Sequence, residues 1–516
     1  MHNQGVGSWP YRRARLSPER VAISFREQSW TYAELAERVT RLAHALRGLG
    51  VGKGDRVALF SANHPAYLEV LFACGLLGAV FVPLNSRLTA PEVAFALRDS
   101  GASVLIHSAE AGGTATEAAA QAGDPVPVVI GDPSAGAGYE ELIAEAGTGR
   151  LDVPVDHEDP CLVMYTSGTT GRPKGVVLTH GNVTFAALNP IVDLDLTSDE
   201  VTLVCAPLFH TAALNFMSLP TLLKGGRVHI EERFDPGRVL HLVQREKVTF
   251  TFGVPTMLDA LSSHPDWPGA DLSSLRRVIV AAAPVPPRTL RTYLERGVRL
   301  CQGYGLTETG PGALILVPDE VERKVGTAGV PHFFTDVRVV DSNGNPVAPG
   351  QRGEIQISGP NVLREYWRLP EATEAAFVDG IWFRSGDVGV PDEDGFVSVV
   401  DRIKDMIISG GENIYPAEVE AVLLDVPGVA AAAVFGVPDS KWGEVGCAAV
   451  TFEPGVEVSE AEMVEHLRKR LAKYKIPKSF VVLDELPRTA SGKVRKHELR
   501  ERFAGGEVGK VRSGEG

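Results

Sequence analysis

Between about residues 20 and 400, short apolar runs of strand type alternate with longer runs of helix type, and this alternation limits the folds open to the chain. "DRVALFS" reads as a strand, "PAYLEVLFACGLLGA" as a helix, "VFVPLN" as a strand, "TAPEVAFALRDSG" as a helix and "ASVLIHS" as a strand. Thr31 with Glu34, and Thr89 with Glu92, have capping-box spacing at two helix starts. Apolar strands separated by helices predict layered α/β architecture with mostly parallel sheets.

The texture changes twice further on. "TDVRVVDSNGNPVAPGQRGEIQISG" (335–359) places the turn pair Asn343-Gly344 between alternating runs, which predicts a β-rich subdomain reaching to about residue 400. After "DRIKD" (401–405) the chain reads as a compact α+β unit, with "AEMVEHLRKRLAKY" as an amphipathic helix and "KSFVVLDELP" as a strand. We expect a large N-terminal domain over 1–403 and a small, mobile C-terminal domain over 404–516, a size sufficient for a separate domain. The Ala- and Gly-rich stretch 110–150 reads as a variable surface segment, and the last dozen residues as a frayed end.

Composition narrows the function. A formal net charge of −14 argues against a general nucleic-acid binder. No apolar run is long enough for a signal peptide or a membrane span. The five cysteines are scattered, without CxxC pairs or Cys/His clusters, so we expect buried reduced thiols in a cytoplasmic protein, neither disulfides nor a zinc site. A homodimer remains open.

The stretch "YTSGTTGRPKGVVLTHGN" (165–182) is built for phosphate. It is not the P-loop, because Pro173 stands five residues after Gly168 and Val176 five after Gly171. The chemistry is nonetheless related: Thr166, Ser167, Thr169 and Thr170 supply hydroxyls, Gly168 and Gly171 let backbone N–H groups approach an anion, and Lys174 adds charge. Taken alone, such a stretch is also compatible with a polar surface turn.

Four further stretches stand in order behind it: "QGYGLTET" (302–309), "WFRSGDVG" (382–389), "DRIKDMIISGGENIYPAEVE" (401–420) and "PRTASGKVRK" (487–496). Together the five resemble the adenylate-forming superfamily, which includes acyl- and aryl-CoA synthetases, peptide-synthetase adenylation domains and luciferase. The likeness runs from the "TYAELAERV" helix to Lys493 and is strongest toward the fatty-acyl and medium-chain acyl-CoA synthetases.

The resemblance implies a two-step reaction. A carboxylate attacks the α-phosphate of ATP, giving acyl-AMP and pyrophosphate, and the thiol of coenzyme A then takes the acyl group. It implies that the loop Thr166–Lys174 cradles the β- and γ-phosphates, and that Tyr304, between Gly303 and Gly305, lies against the adenine. Thr307 would bond the α-phosphate, and Glu308, with Thr166, would hold Mg²⁺. Asp387 and Arg402 would hold the ribose, Lys404 would be the hinge, and Lys493 would bridge the substrate carboxylate and the α-phosphate. Gly410, Gly411 and Glu412, in "ISGGEN", would line the pantetheine tunnel after the C-terminal domain rotates.

His210, in "PLFHTAAL", stands where the family often places an aromatic gate beside the acyl carboxylate. The acyl pocket would draw on 210–217, 251–257 and 281–284, whose apolar "LNFM" and "GVPTM" favour a hydrophobic acid. Arg468, Lys469, Arg470, Lys473, Lys475 and Lys478 form a basic cluster suited either to the coenzyme A phosphates or to solvent.

The sequence departs from the family at "AAAP". Ala281, Ala282, Ala283 and Pro284 stand where a glycine-containing Gly-Ala-Pro form is usual. Ser385 replaces the usual Thr. Two alternatives to a complete acyl-CoA ligase therefore stay open: an adenylation enzyme loading a separate carrier protein, and a ligase impaired in adenylation that performs mainly the thioester step.

Overall fold

The computed structural model describes residues 2–131, 137–166, 173–281, 285, 287–409, 412–489 and 492–503. Among these residues the strands gather into four sheets. The predicted units appear as the strands Arg56–Phe60, Val80–Leu84 and Val104–Ser108 and the helices Ala66–Leu77 and Ala90–Ser100. At the helix starts, Glu34 accepts from the Thr31 N–H at 2.7 Å, and Glu92 from the Thr89 N–H at 2.8 Å.

The first sheet runs Glu365–Tyr366, Lys174–Thr179, Pro160–Thr166, Val80–Leu84, Arg56–Phe60, Val104–Ser108, Val126–Ile130, Ala137–Gly138. It is parallel except at the end that carries the hairpin Pro160–Thr166/Lys174–Thr179 and the strand Glu365–Tyr366. A second, nine-stranded sheet is parallel through Val21–Phe25, Arg227–Ile230, Val201–Val204, Phe250–Gly253, Arg277–Val280 and Leu300–Tyr304. Helix Ala66–Leu77 is buried along its whole length, as a helix apolar on all sides must be. It belongs to one core that also takes Leu59 and Leu162 from the first sheet and Val228 and Phe250 from the second.

The β-rich subdomain is an antiparallel sheet built on Asp336–Val340, Gly353–Ser358, Trp382–Pro391 and Val397–Arg402. After a short turn, Ile403–Asp405, the remaining chain folds around the long hairpin Val429–Asp439/Gly443–Phe452 with its own core. The five cysteines are buried and free. No helix among the described residues is long and apolar enough to cross a membrane.

Two expectations are corrected. The segment 110–150 is built into the fold: helix Gly112–Gln121, strand Val126–Ile130 and helix Tyr139–Glu145 extend the first sheet and its flank. Its buried face is made of small residues, Ala115 and Ala118, which leave a weak hydrophobic pattern, and Tyr139 is buried with its hydroxyl donating to Glu69 at 2.7 Å. The helix read over 461–474 is Glu460–Arg468, followed by the separate turn Lys473–Lys475. Its apolar stripe gives Met463 and Leu467 to the core, but Leu471 is only half-buried, so little packing favours another turn. The frayed end expected beyond Phe503 lies outside the described residues.

The C-terminal unit is docked on the N-terminal one. Glu418 lies between Lys475, at 2.6 Å, and Arg352 of the β subdomain, at 3.4 Å, and the Arg352 guanidinium stands 4.2 Å from the centre of the Tyr415 ring. Thr489 and Lys493 are tied by backbone hydrogen bonds, the Gly492 N–H to Thr489 O and the Thr489 N–H to Lys493 O. Gly492 takes a left-handed φ of +83°, and its Cα faces Val254 and Thr256 of the N-terminal domain.

Candidate active site

Asp387 and Arg402 oppose one another on neighbouring antiparallel strands, so Arg402 Nε pairs with Asp387 Oδ1 at 2.9 Å. Tyr304 ends the strand Leu300–Tyr304 and donates its hydroxyl to Asp387 Oδ2 at 2.7 Å. Asp387 is 3% exposed, and its N–H donates to Ser385 Oγ at 3.0 Å, while that hydroxyl donates to Ile355 O. A serine hydroxyl thus fixes the Asp387 backbone, not its carboxylate, at the position where the resemblance leads one to expect threonine. Each carboxylate oxygen has one protein partner and a further lone-pair site, which fits the two hydroxyls of a ribose. Burial, then the charge of Asp387, raises the Tyr304 pKa well above the usual tyrosine value, so the phenol stays a donor.

Gly305 follows, where only glycine fits: a Cβ there would lie 1.6 Å from the Pro311 carbonyl oxygen. Gly303 is less crowded, its added Cβ 3.8 Å from that of Ala281. The short turn Thr307–Thr309 then presents Thr307 and Glu308, both half-buried. Tyr366 donates its hydroxyl to Glu308 Oε1 at 2.9 Å, and its ring holds the Lys174 amine 4.8 Å from its centre. Lys174 stands opposite Thr166 across the hairpin, so the two flank the phosphate-type loop.

The other predicted loop residues, Ser167, Gly168, Thr169, Thr170 and Gly171, lie outside the described residues, as do Ala282, Ala283, Pro284, Gly410 and Gly411. Glu412 is placed by its backbone, on the strand Glu412–Ile414. Among the described residues no group of three or more His, Cys, Asp or Glu is arranged to hold a metal. A single carboxylate, Glu308, with one oxygen bound to Tyr366, suits Mg²⁺, which takes one or two carboxylates and completes its shell with phosphate and water oxygens.

Lys493, from the C-terminal unit, lies within electrostatic reach of Arg402, Asp387 and Glu308. Solvent reaches it, yet the surrounding protein and then the Arg402 cation depress its pKa, opposed by Asp387 and Glu308. His210 stands within reach of the same lysine: burial, then the Lys493 and Arg87 cations, pull its pKa down to about 4, leaving a neutral ring beside Phe209, centre to centre 4.6 Å. Its Nε2 is buried without a hydrogen-bond partner. The structure therefore brings Lys493, His210, Glu308, Asp387, Arg402 and Tyr304 together from distant parts of the chain. Part of the basic cluster is otherwise engaged, Lys475 with Glu418 and Lys469 with Glu465 at 2.8 Å.

Sequence reasoning missed three contributors, Tyr366, Arg87 and Asn361. Tyr366 stands in none of the five motifs, and nothing in its spacing points to Glu308. Arg87 carried no motif. Asn361 is fully buried and donates to the Thr309 and Gly312 carbonyls at 2.7 and 2.8 Å, fixing the turn after Glu308. The stretch 210–217, expected to line the acyl pocket, is wound mostly as the π-helix Ala212–Ser218, a widened turn common at functional sites. Within it Asn215 is fully buried, with both amide atoms unpartnered.

The chain matches the AMP-binding enzyme family over residues 11–367 and the AMP-binding enzyme C-terminal domain over 418–493. It is 56% identical to a feruloyl-CoA synthase of Amycolatopsis sp over 503 residues, 98% of this chain and all of that one. It is 41% identical to an indoleacetate–CoA ligase of Aromatoleum aromaticum, covering 97% and 98% of the two chains. Among solved structures, o-succinylbenzoate CoA synthetase (MenE) of Bacillus subtilis with the acyl-adenylate OSB-AMP superposes with a TM-score of 0.85 at 36% identity, over 98% and 99% of the two chains. The same synthetase has also been solved with ATP and a magnesium ion. The cleft that collects Asp387, Glu308 and Lys493 thus lies in a chain that belongs to the AMP-binding enzyme family, as an adenylate-forming acid–CoA ligase.

Proposed function

We propose that this ligase activates an aromatic propenoic acid of the ferulate type and converts it to its coenzyme A thioester. One observation carries the choice of acid: the neutral His210 ring, beside Phe209, stands within electrostatic reach of Lys493. A carboxylate that meets Lys493 has its apolar body against these aromatic rings, where charge is disfavoured. The 56% identical feruloyl-CoA synthase supports the same class.

In this reading Lys493 holds the substrate carboxylate against the α-phosphate of ATP and spreads positive charge over the crowded oxygens as the bond forms. Thr307 bonds the α-phosphate, while Lys174, Thr166 and the loop between them hold the leaving pyrophosphate. Asp387 and Arg402 fix the ribose, and Tyr304 offers its half-buried ring to the adenine. Glu308, with Thr166, holds Mg²⁺, which neutralises phosphate charge when bound.

For the thioester step, the C-terminal domain (404–516) turns against the N-terminal domain (1–403) about Lys404. Lys493 is withdrawn, and the turn Gly410–Glu412 is presented to the pantetheine arm. Burial and then the nearby Arg402 cation depress the Lys404 pKa, in keeping with a lysine crowded at the junction. The buried free thiols support a cytoplasmic setting.

The test is CoA-dependent AMP release with ferulate, cinnamate, octanoate and malonate. Turnover of the aryl propenoates at least tenfold above octanoate is expected. A preference for octanoate or malonate overturns the choice of acid. AMP release that needs a carrier protein in place of coenzyme A overturns the choice of acceptor.

A further inference from the structure

One buried histidine lies beyond the reacting groups. His332 is 2% exposed, and its Nδ1 is 2.5 Å from Asp193 Oδ2, while Asp193 Oδ1 accepts the Phe333 N–H at 3.2 Å. Among the described residues no protein partner is recorded for Nε2. That atom points at Gly312: a Cβ added there would lie 2.6 Å from it.

The surroundings hold this pair firmly. The His332 N–H donates to Ala313 O, and the Ala313 N–H to Tyr304 O. Asn189, one helical turn before Asp193, accepts the Phe334 N–H at 3.0 Å and donates to Thr335 at 3.2 Å. Asn361 ties Thr335 to the Thr309 and Gly312 carbonyls. His332 is thereby fixed to the turn that carries Glu308 and to the strand that carries Tyr304.

On its other side the His332 ring stands 5.7 Å, centre to centre, from that of Phe216. Phe216 lies on the π-helix that begins two residues after His210. His210 stands six residues before Phe216, a rise of at most about 9 Å at about 1.5 Å each, so His210 and His332 are joined through this one helical segment and the Phe216 ring.

We propose that His332, oriented by Asp193, is the specificity-determining residue that reads a ring hydroxyl para to the propenoate arm of the acid. With Nδ1–H given to the Asp193 carboxylate, Nε2 accepts from a phenol, and a protonated ring would donate to the same oxygen. Gly312 has no side chain to cover that nitrogen, which a Cβ would approach to 2.6 Å. An acid with hydrogen in place of the hydroxyl leaves the ring nitrogen of a buried histidine unmatched, the kind of arrangement that discriminates between close analogues.

This inference rests on the aryl propenoate reading, and one assay separates the two. The kcat/KM of CoA-dependent AMP release is measured for 4-hydroxycinnamate, 4-methoxycinnamate and cinnamate. We expect the unmodified protein to favour 4-hydroxycinnamate over cinnamate at least tenfold. His332→Leu should reduce that ratio at least tenfold, Asp193→Asn should reduce it less, and His332→Gln should keep part of it. Equal use of 4-hydroxycinnamate and cinnamate by the unmodified protein overturns the role of His332 while leaving the substrate class intact. No turnover of any of the three, with brisk turnover of octanoate, overturns the class itself. If His332→Leu is insoluble, the near-isosteric Asp193→Asn and His332→Gln carry the comparison, and an unchanged ratio in both overturns the proposal.

Discussion

Tyr366 holds Glu308 from the far side of the site: its hydroxyl is 2.9 Å from Glu308 Oε1. The donor lies on a two-residue strand at the edge of the first sheet, and the acceptor on the turn that follows Tyr304. Tyr366→Phe removes that one hydrogen bond and keeps the ring under Lys174. A hydrogen bond to a charged group is worth about 1.5–3 kcal/mol, so pyrophosphate exchange into ATP should slow about 10–100-fold, with a raised magnesium requirement. Tyr366→Leu also loses the cation–π contact and should slow it further. Exchange rates within twofold of the unmodified protein would remove Tyr366 from the site.

Lys493 should matter in one half-reaction. Lys493→Ala is expected to abolish acyl-AMP formation and to spare thioester formation from supplied acyl-AMP. Because burial and Arg402 lower its pKa, the amine loses its proton at lower pH than an ordinary lysine. The adenylation rate should therefore fall on the alkaline side earlier than free lysine would predict, and the thioester rate should not follow the same limb. Parallel loss of both half-reactions in a folded variant would refute the domain exchange.

His210 and His180 give the protein an acid-side weakness. Burial holds both near a pKa of about 4, against about 6.5 in an unfolded chain. Between these values the unfolded state binds protons that the folded state refuses, so stability is lost as pH falls through this window. His210→Phe should narrow the difference in melting temperature between pH 7.5 and pH 5. An unchanged difference would mean that His210 does not resist protonation.

Gly305→Ala should fail for steric reasons alone. The added methyl would overlap the Pro311 carbonyl, and backbone cannot move away as a flexible side chain does. Overpacking of this kind costs at least about 1–3 kcal/mol, and the displaced turn carries Thr307 and Glu308. Adenylation should be lost together with several degrees of thermal stability. Gly303→Ala, which meets only ordinary contacts, is the control and should be far milder.

The elements that could be read in advance are those with strong local patterns. The strand Arg56–Phe60, the fully buried helix Ala66–Leu77 and the Thr31 capping box follow from apolar runs and end residues. So does the antiparallel character of 335–400, signalled by Asn343-Gly344. Much of the site was legible for a different reason: Asp387, Glu308 and Lys493 stand in extended motifs that point to adenylate chemistry. Tyr366, Asn361 and His332 were not legible, because each acts through a partner 49 to 139 positions away, and no local pattern encodes such a pairing. The stretch 110–150 was misread because alanine-lined burial leaves little hydrophobic contrast.

The π-helix Ala212–Ser218 has a consequence for how this wall could change. It runs straight into the α-helix Leu219–Lys224, so the two differ by a change of winding within one continuous rod. Winding of this kind holds more residues per turn than the α-helix that follows. Deleting one residue within 212–218 would let regular winding run through and would rotate Phe216 and Asn215 about the axis relative to His210. If this segment lines the acid as proposed, the outline of the acid's berth is stored as a register fault, and gaining or losing one codon would redraw it while the sheets behind it stay in place.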